Sequence, residues 1–163
     1  MNEEYDAQRE LIVRAIVVAD GALIVNKTCN AKTGEEYYAL PGGHVEAGES
    51  CITALEREWR EELNVSLEVL DLCFVAESVY GGRTAHETQR HELGLYFHAN
   101  LATPLQHNGK EISSPEALKN FQWLRLDELK NVNLLPLAVK EFLLAILADA
   151  EHAHYAFSDT TRR

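Results

Sequence analysis

Apolar positions along the chain follow two periods, and the switches between them predict the order of elements. "LIVRAIVVA" (Leu11–Ala19) is β-branched and apolar almost throughout, which predicts a strand buried on both faces. Asp20-Gly21 supplies a tight turn, and "ALIVNK" (Ala22–Lys27) is its hairpin partner. After the polar loop "TCNAKTGEE", a short strand "YYAL" (Tyr37–Leu40) runs into Pro41-Gly42-Gly43, which interrupts regular structure. From Ser50 the period lengthens. At about 100° per residue, Ile52, Leu55, Trp59 and Leu63 share one stripe of a helix. Ser50 is placed to satisfy its first N–H groups. Asn64, which tolerates the left-handed conformation, is placed to end it.

Beyond the helix, "VSLEVLDLCFVAESVY" (Val65–Tyr80) and "HELGLYFHANL" (His91–Leu101) read as strands around a polar loop holding Gly81-Gly82. A long loop, Ala102 to Ala117, leads to the strand "FQWLRL" (Phe121–Leu126), and a second helix is expected from about Leu135 to Ala148. Residues 151–163 show no sustained period and are expected to be a flexible tail. With no internal repeat, low-complexity run or linker, residues 1–150 read as one domain. Hairpins mixed with a helical crossover, and helices enough for both faces, predict an α/β sandwich with a mixed β-sheet.

Charge narrows the function. The chain has 26 acidic against 15 basic residues, a net charge of -11, and no cluster of Lys and Arg. That excludes a broad nucleic-acid footprint. A small anionic substrate stays compatible where a divalent cation screens it. Three cysteines without C-x-x-C spacing predict neither a disulfide framework nor a zinc site, and point to a reducing compartment. The acidic N-terminus "MNEEYDAQRE" is unlike a targeting signal. The most apolar run, Leu134 to Ala148, is interrupted by Lys140 and Glu141 and is too short to span a bilayer. A cytoplasmic protein without a membrane span is the expectation.

The stretch "LPGGHVEAGESCITALEREWREELNV" (Leu40–Val65) changes the picture. It crowds Glu58, Glu61 and Glu62 onto one helix edge, where like charges three or four apart repel by roughly a few tenths of a kcal/mol per pair. Most Glu-rich helix faces are simply solvated. Here the spacing of the whole stretch favours chemistry. Gly43, five residues, Glu49, seven residues, then Arg57-Glu58-Trp59-Arg60-Glu61-Glu62-Leu63-Asn64-Val65 resembles the Nudix box, G-x5-E-x7-R-E-U-x-E-E-x-G-U with U a bulky apolar residue. Gly43, Glu49, Arg57, Glu58, Glu61 and Glu62 are identities, and Trp59 and Val65 fit the apolar class. Asn64 stands where the pattern has Gly, and it meets the same left-handed requirement. "LPGGHVE" and "FQWLRLDEL" (Phe121–Leu129) are similar to Nudix sequences too, so the resemblance extends over residues 11–148.

That resemblance implies a Nudix-type α/β/α sandwich and a Mg²⁺- or Mn²⁺-dependent hydrolase. Such enzymes cleave the diphosphate bond of a nucleoside triphosphate, nucleotide sugar, ADP-ribose or dinucleoside polyphosphate. By the same resemblance Glu58 and Glu62 are the leading metal ligands, Glu61 shares a second ion, and the backbone carbonyl of Gly43 is a further ligand. Glu49 and Arg57 form an internal ion pair. The residue types suit the chemistry, since hard cations take oxygen ligands and a cation there would relieve the repulsion. Relatives add a distal Glu as base or ligand; Glu116 and Glu111 are the candidates, with Glu92 a third, although a solvated loop residue or a cross-strand ion pair is the commoner role. Tyr80 and Arg83, with Arg90, are candidate substrate contacts, against the commoner roles of packing and solvent exposure. Two other functions fit part of the pattern. One is a nucleotide-sensing module without turnover. The other is an isomerase of the isopentenyl diphosphate type, whose cysteine motif neither "KTCNA" nor "DLCFV" resembles. A homodimer is conceivable if "LIVRAIVVA" forms an edge strand pairing across a two-fold axis. Finally, Glu62→Gln is expected to leave stability equal or higher by relieving like-charge strain.

Overall fold

The computed structural model describes residues 8–81, 89–149 and 154–159. The first hairpin forms as the turn chemistry requires: Asp20 and Gly21 both take positive φ, 49° and 72°, the pairing of a two-residue primed turn. Around it the long first strand is divided, with β1 at Gln8–Ile16 and β2 at Val18–Ala19, and β3 at Ala22–Cys29 returns beside β2. Then come β4 (Glu36–Ala39), β5 (Gly42–His44) and α1 (Cys51–Leu63). The longest strands are β6 (Leu67–Gly81) and β7 (Gln89–Leu101). β8 (His107–Asn108), β9 (Glu111–Ile112) and β10 (Phe121–Arg125) precede a 3₁₀ turn at Leu126–Asn131, α2 (Leu137–Leu147) and β11 (Tyr155–Asp159).

These strands build two sheets. The first has the order β11-β6-β7-β1-β5 and is mixed, because β1 runs parallel to β7 and β11 parallel to β6. The second has the order β2-β3-β10-β9-β8, with β4 also paired to β3, and is antiparallel throughout. Alternation along each strand sends side chains to two separate cores. Val13 and Ala15 of β1 and Ile24 of β3 join Leu55 and Trp59 of α1. Ile16, Leu23 and Val25 join Val139, Phe142 and Leu143 of α2. A helix therefore covers each side, giving the expected α/β sandwich with its sheet split in two.

Helix α1 is closed at both ends as its sequence dictates. The Ser50 side chain accepts the Thr53 N–H at 3.1 Å, and Asn64 adopts φ 55°, ψ 36° while its N–H donates to the Arg60 carbonyl. Its apolar stripe is buried over a shorter length than expected: Leu55, Trp59 and Leu63 are buried, but Ile52, in the first turn, is 38% exposed. The indole Nε1 of Trp59 is fully buried without a hydrogen-bond partner.

Three further expectations are corrected. The loop from Ala102 to Ala117 contains the short hairpin β8–β9, too brief to leave a periodic signal. Tyr155–Asp159 is a strand rather than a frayed tail; it pairs with β6, and the Tyr155 hydroxyl donates to the Glu77 carboxylate, which His91 also contacts. β1 is not an edge strand. It lies between β7 and β5, which pairs with its residues Ile12, Val13 and Arg14, whereas β2, the end of the same apolar stretch, lies at the edge of the second sheet. Among the described residues, no helix is long and apolar enough to cross a membrane.

Candidate active site

Two adjacent glycines place the carboxylates of α1. Gly42 and Gly43 on β5 lie opposite Arg14 and Val13 of β1. Gly42 has φ 132°, and a Cβ there would sit 2.1 Å from the Val13 carbonyl oxygen. Only glycine fits such a position. Its N–H donates to Glu62 Oε2 at 3.1 Å. At Gly43 the missing side chain makes room for Glu58: a Cβ would be 2.3 Å from the Glu58 carboxyl carbon and 2.4 Å from each of its oxygens. Two carboxylates one helical turn apart therefore press on consecutive residues of one loop.

Arg57 braces this corner. Its Nε and Nη2 donate to Glu49 at 3.2 and 2.7 Å, Nη2 also reaches the His44 carbonyl at 3.0 Å, and Nη1 reaches Glu58 at 2.9 Å and Glu61 at 3.3 Å. The guanidinium, with the Glu46 N–H, holds the Glu49 carboxyl below its ordinary value, and Glu49 in turn raises Arg57. The expected Glu49–Arg57 pair is present. Glu61 is the most exposed of the three helix carboxylates, with 55% of its side chain open to solvent.

Glu62 behaves differently from a group on a wet edge. The residue is 1% exposed, and its second oxygen takes the Lys119 ammonium at 2.5 Å. Burial pushes its carboxyl up, while Lys119 and the Gly42 N–H pull the other way. Burial alone would lower Lys119, but Glu62 and Glu116 outweigh it and hold the ammonium charged. Lys119 also meets Glu116 at 3.4 Å, and Ser114 ties the same loop to α1, its hydroxyl donating to the Glu62 carbonyl at 2.6 Å and accepting the Glu116 N–H. Glu116 is thus joined to the corner through Lys119, whereas Glu111 stands exposed on β9 opposite Gln122. Sequence reasoning missed Lys119, which lies 57 positions from Glu62 in no local pattern.

Other charged residues gather on the opposite face of the first sheet, since Arg14 and its alternates point away from Val13. Glu10 and Glu92 are partners in the parallel register of β1 and β7. The Glu10 side chain is largely buried and lies 3.6 Å from Arg90 and 3.5 Å from His44. Tyr80 donates to Glu92 at 3.4 Å. Burial pushes Glu92 up and Glu10 adds to that, against the pull of Arg14, Tyr80 and His44. Glu92 and Tyr80 are therefore neighbours, apart from the α1 cluster. Arg14 donates to the carbonyls of Leu40 and Gly42, at 3.0 and 2.6 Å, and so fixes the glycine loop from behind. The signal for Arg14 was available: a lone charge in a β-branched run must find partners when buried. Arg83 lies outside the described residues.

Among the described residues, no three His, Cys, Asp or Glu side chains are already arranged as a metal group. Arg57 and Lys119 neutralise Glu58 and Glu62 instead. The donor set still suits a hard cation. Two carboxylates reach a loop in which Gly43 leaves their approach open, and Glu61 stands beside them.

Comparison with known proteins identifies the family. The family model for the NUDIX domain matches residues 8–145. A curated relative, "Putative hydrolase 080R" of Invertebrate iridescent virus 3, is 34% identical over 77 residues, 47% of this chain and 32% of its own length. The chain thus spans about a third of that relative. A NUDIX hydrolase from Nitrosomonas europaea superposes with a TM-score of 0.62 at 16% identity, covering 94% of this chain and 80% of its own. An ADP-ribose pyrophosphatase from Streptococcus suis 89-1591 does so with 0.53 at 15%, covering 92% and 98%. At such identities the structural likeness is one of fold. The match of the domain model across β1 to β10, α1 and most of α2 makes the chain a member of the NUDIX family.

Proposed function

We propose that the chain is a Mg²⁺- or Mn²⁺-dependent hydrolase that breaks the diphosphate linkage of small nucleotide derivatives. The observation that carries this is the lodging of Glu58 against the Cα of Gly43, with Glu62 on the neighbouring N–H. Placing two carboxylates on one glycine loop serves no packing purpose; it suits a site that must hold positive charge against phosphate.

In this reading Glu58 and Glu62 hold the cation, with Glu61 beside them and the glycine loop supplying a carbonyl. When bound, the cation neutralises charge on the phosphoryl oxygens and lowers the pKa of a coordinated water. Arg57, gripped by Glu49, fixes the direction of the Glu58 carboxylate. Arg14 holds the loop itself in place. Glu116 is the residue proposed to take the proton from the attacking water, because its loop is tied to α1. Tyr80 and Arg90, with Arg83, are proposed to meet the nucleoside side of the substrate. An isomerase reading is disfavoured because neither "KTCNA" nor "DLCFV" resembles that enzyme's cysteine motif, and burial pushes the Cys73 thiol up to about 11.

The test is a panel of ADP-ribose, nucleotide sugars, nucleoside triphosphates and dinucleoside polyphosphates, assayed for released phosphoester with Mg²⁺, Mn²⁺ and EDTA. Turnover that requires the cation, and that falls roughly 10²–10³-fold in Glu58→Gln, is expected. Binding of a panel member without turnover would assign a sensor instead.

A further inference from the structure

We infer that Lys119 and a divalent cation compete for the carboxylate of Glu62, so that Lys119 is a resident counter-ion which must be displaced as the α1 corner takes up metal. The inference rests on the reading of that corner as a cation site and concerns how the site is regulated. Glu62 is 1% exposed, with one oxygen on the Gly42 N–H and the other on the Lys119 ammonium. Both oxygens thus already have a donor, and of the two the side-chain ammonium is the one that can leave.

The two side-chain cations of the corner differ in what holds them. Arg57 is clamped by both oxygens of Glu49 and by the His44 carbonyl, so it stays beside Glu58. Lys119 is a point charge on a flexible stem, and its side chain is 33% exposed, so a path outward exists. Leaving Glu62 does not strand the ammonium, because Glu116 is already within 3.4 Å. The backbone around it need not move. Ser114 donates to the Glu62 carbonyl at 2.6 Å, and Lys27 N–H donates to the Asn120 carbonyl at 2.7 Å, so the loop is pinned on both sides of Lys119. The displaced ammonium stays at the mouth of the corner, where an anionic substrate arrives. Glu62 therefore keeps a positive partner in both conditions, which answers how a carboxylate can be so deeply buried.

Mn²⁺ alone is the probe. Its binding to the whole chain is measured by electron paramagnetic resonance for the wild type, Lys119→Met and Glu62→Gln. Loss of a site in Glu62→Gln assigns that site to the corner. Lys119→Met is expected to bind Mn²⁺ there more tightly, by roughly 5- to 150-fold, the range of ordinary coupling between two sites. Equal or weaker binding overturns the competition while leaving the cation site standing. Absence of any Glu62-dependent Mn²⁺ site in the wild type overturns the site itself, and the competition with it. A second measurement needs no variant: acylation of the Lys119 amine, followed by mass spectrometry, is expected to speed up when Mn²⁺ is added. Equal rates with and without Mn²⁺ overturn the proposal.

Discussion

On the α1 side of the first sheet the carboxylates are held by side-chain cations, Arg57 shared by Glu49 and Glu58, and Lys119 on the buried Glu62. On the opposite face Glu10 and Glu92 lie in register on neighbouring strands, and their partners are looser: Arg90 and His44 beyond 3.4 Å, and a tyrosine hydroxyl at 3.4 Å. The first arrangement fixes the direction of each oxygen. The second leaves Glu92 beside Glu10, which adds to the upward push of burial on the Glu92 carboxyl. One is built to present charge at a set place; the other has acceptors still to offer. Repulsion within the α1 cluster is met by side-chain cations, so relieving it is not what substitution there would do.

The sharpest way to break the first region is through its glycines. Gly42→Ala puts a methyl 2.1 Å from a backbone carbonyl in a conformation reserved for glycine, and should cost over about 4 kcal/mol, read as loss of cooperative thermal unfolding. Gly43→Ala meets only the movable end of Glu58, so it should fold with a small change in Tm while Mn²⁺ binding and turnover fall steeply. Equal effects from the two would deny that the loop is shaped for Glu58.

Next in size is an asymmetry within the Glu62–Lys119 pair. Lys119→Met leaves a deeply buried carboxylate without its counter-ion and should cost about 3 kcal/mol, with protonation of Glu62 capping the loss. Glu62→Gln keeps an acceptor for Gly42 and leaves a lysine that reaches water, so it should cost less, about 1–2 kcal/mol. Denaturant unfolding at neutral pH without metal measures both. This reverses the expectation that Glu62→Gln would be neutral or stabilising.

The smallest effects concern pH. Glu49 has its pKa lowered from 4.5, so its contribution is fully present above pH 4.5 and is lost as pH falls through the lowered value. Glu92 has its pKa raised from 4.5, so the folded protein binds the extra proton and loses stability as pH rises through the window just above 4.5. Glu49→Gln should therefore lower Tm above that window, and Glu92→Gln should leave it equal or raise it. Melting curves from pH 3 to 7 would show the opposite slopes; parallel slopes would dissolve the contrast between the two faces.

What the sequence disclosed follows how far apart the interacting residues lie. Gly43, Glu49, Arg57, Glu58 and Glu62 sit within one loop and one helix, so their spacing along the chain encodes their meeting in space. Asn64 was legible for the same reason, because the helix end demands a left-handed residue. Glu10 and Glu92 meet only through the parallel register of β1 and β7, which no local period reports. Lys119 reaches Glu62 from a loop whose path is set by pairing of β10 with β3 and β9. The strand Tyr155–Asp159 was hidden because pairing with β6 and the Tyr155–Glu77 contact hold it, rather than any apolar alternation of its own. Burial of Glu62 escaped notice because helical periodicity gives direction but not depth.

The sealed indole of Trp59 offers an optical use. The chain has two tryptophans, and Trp59 is wholly enclosed on the helix that carries Glu58 and Glu62, whereas Trp123 on β10 is partly open. An indole without a polar neighbour emits toward the blue, and any tilt of α1 that let solvent in would shift that light to the red. With Trp123→Phe, a single intrinsic fluorophore would report in real time whether the helix yields as ions load beside it.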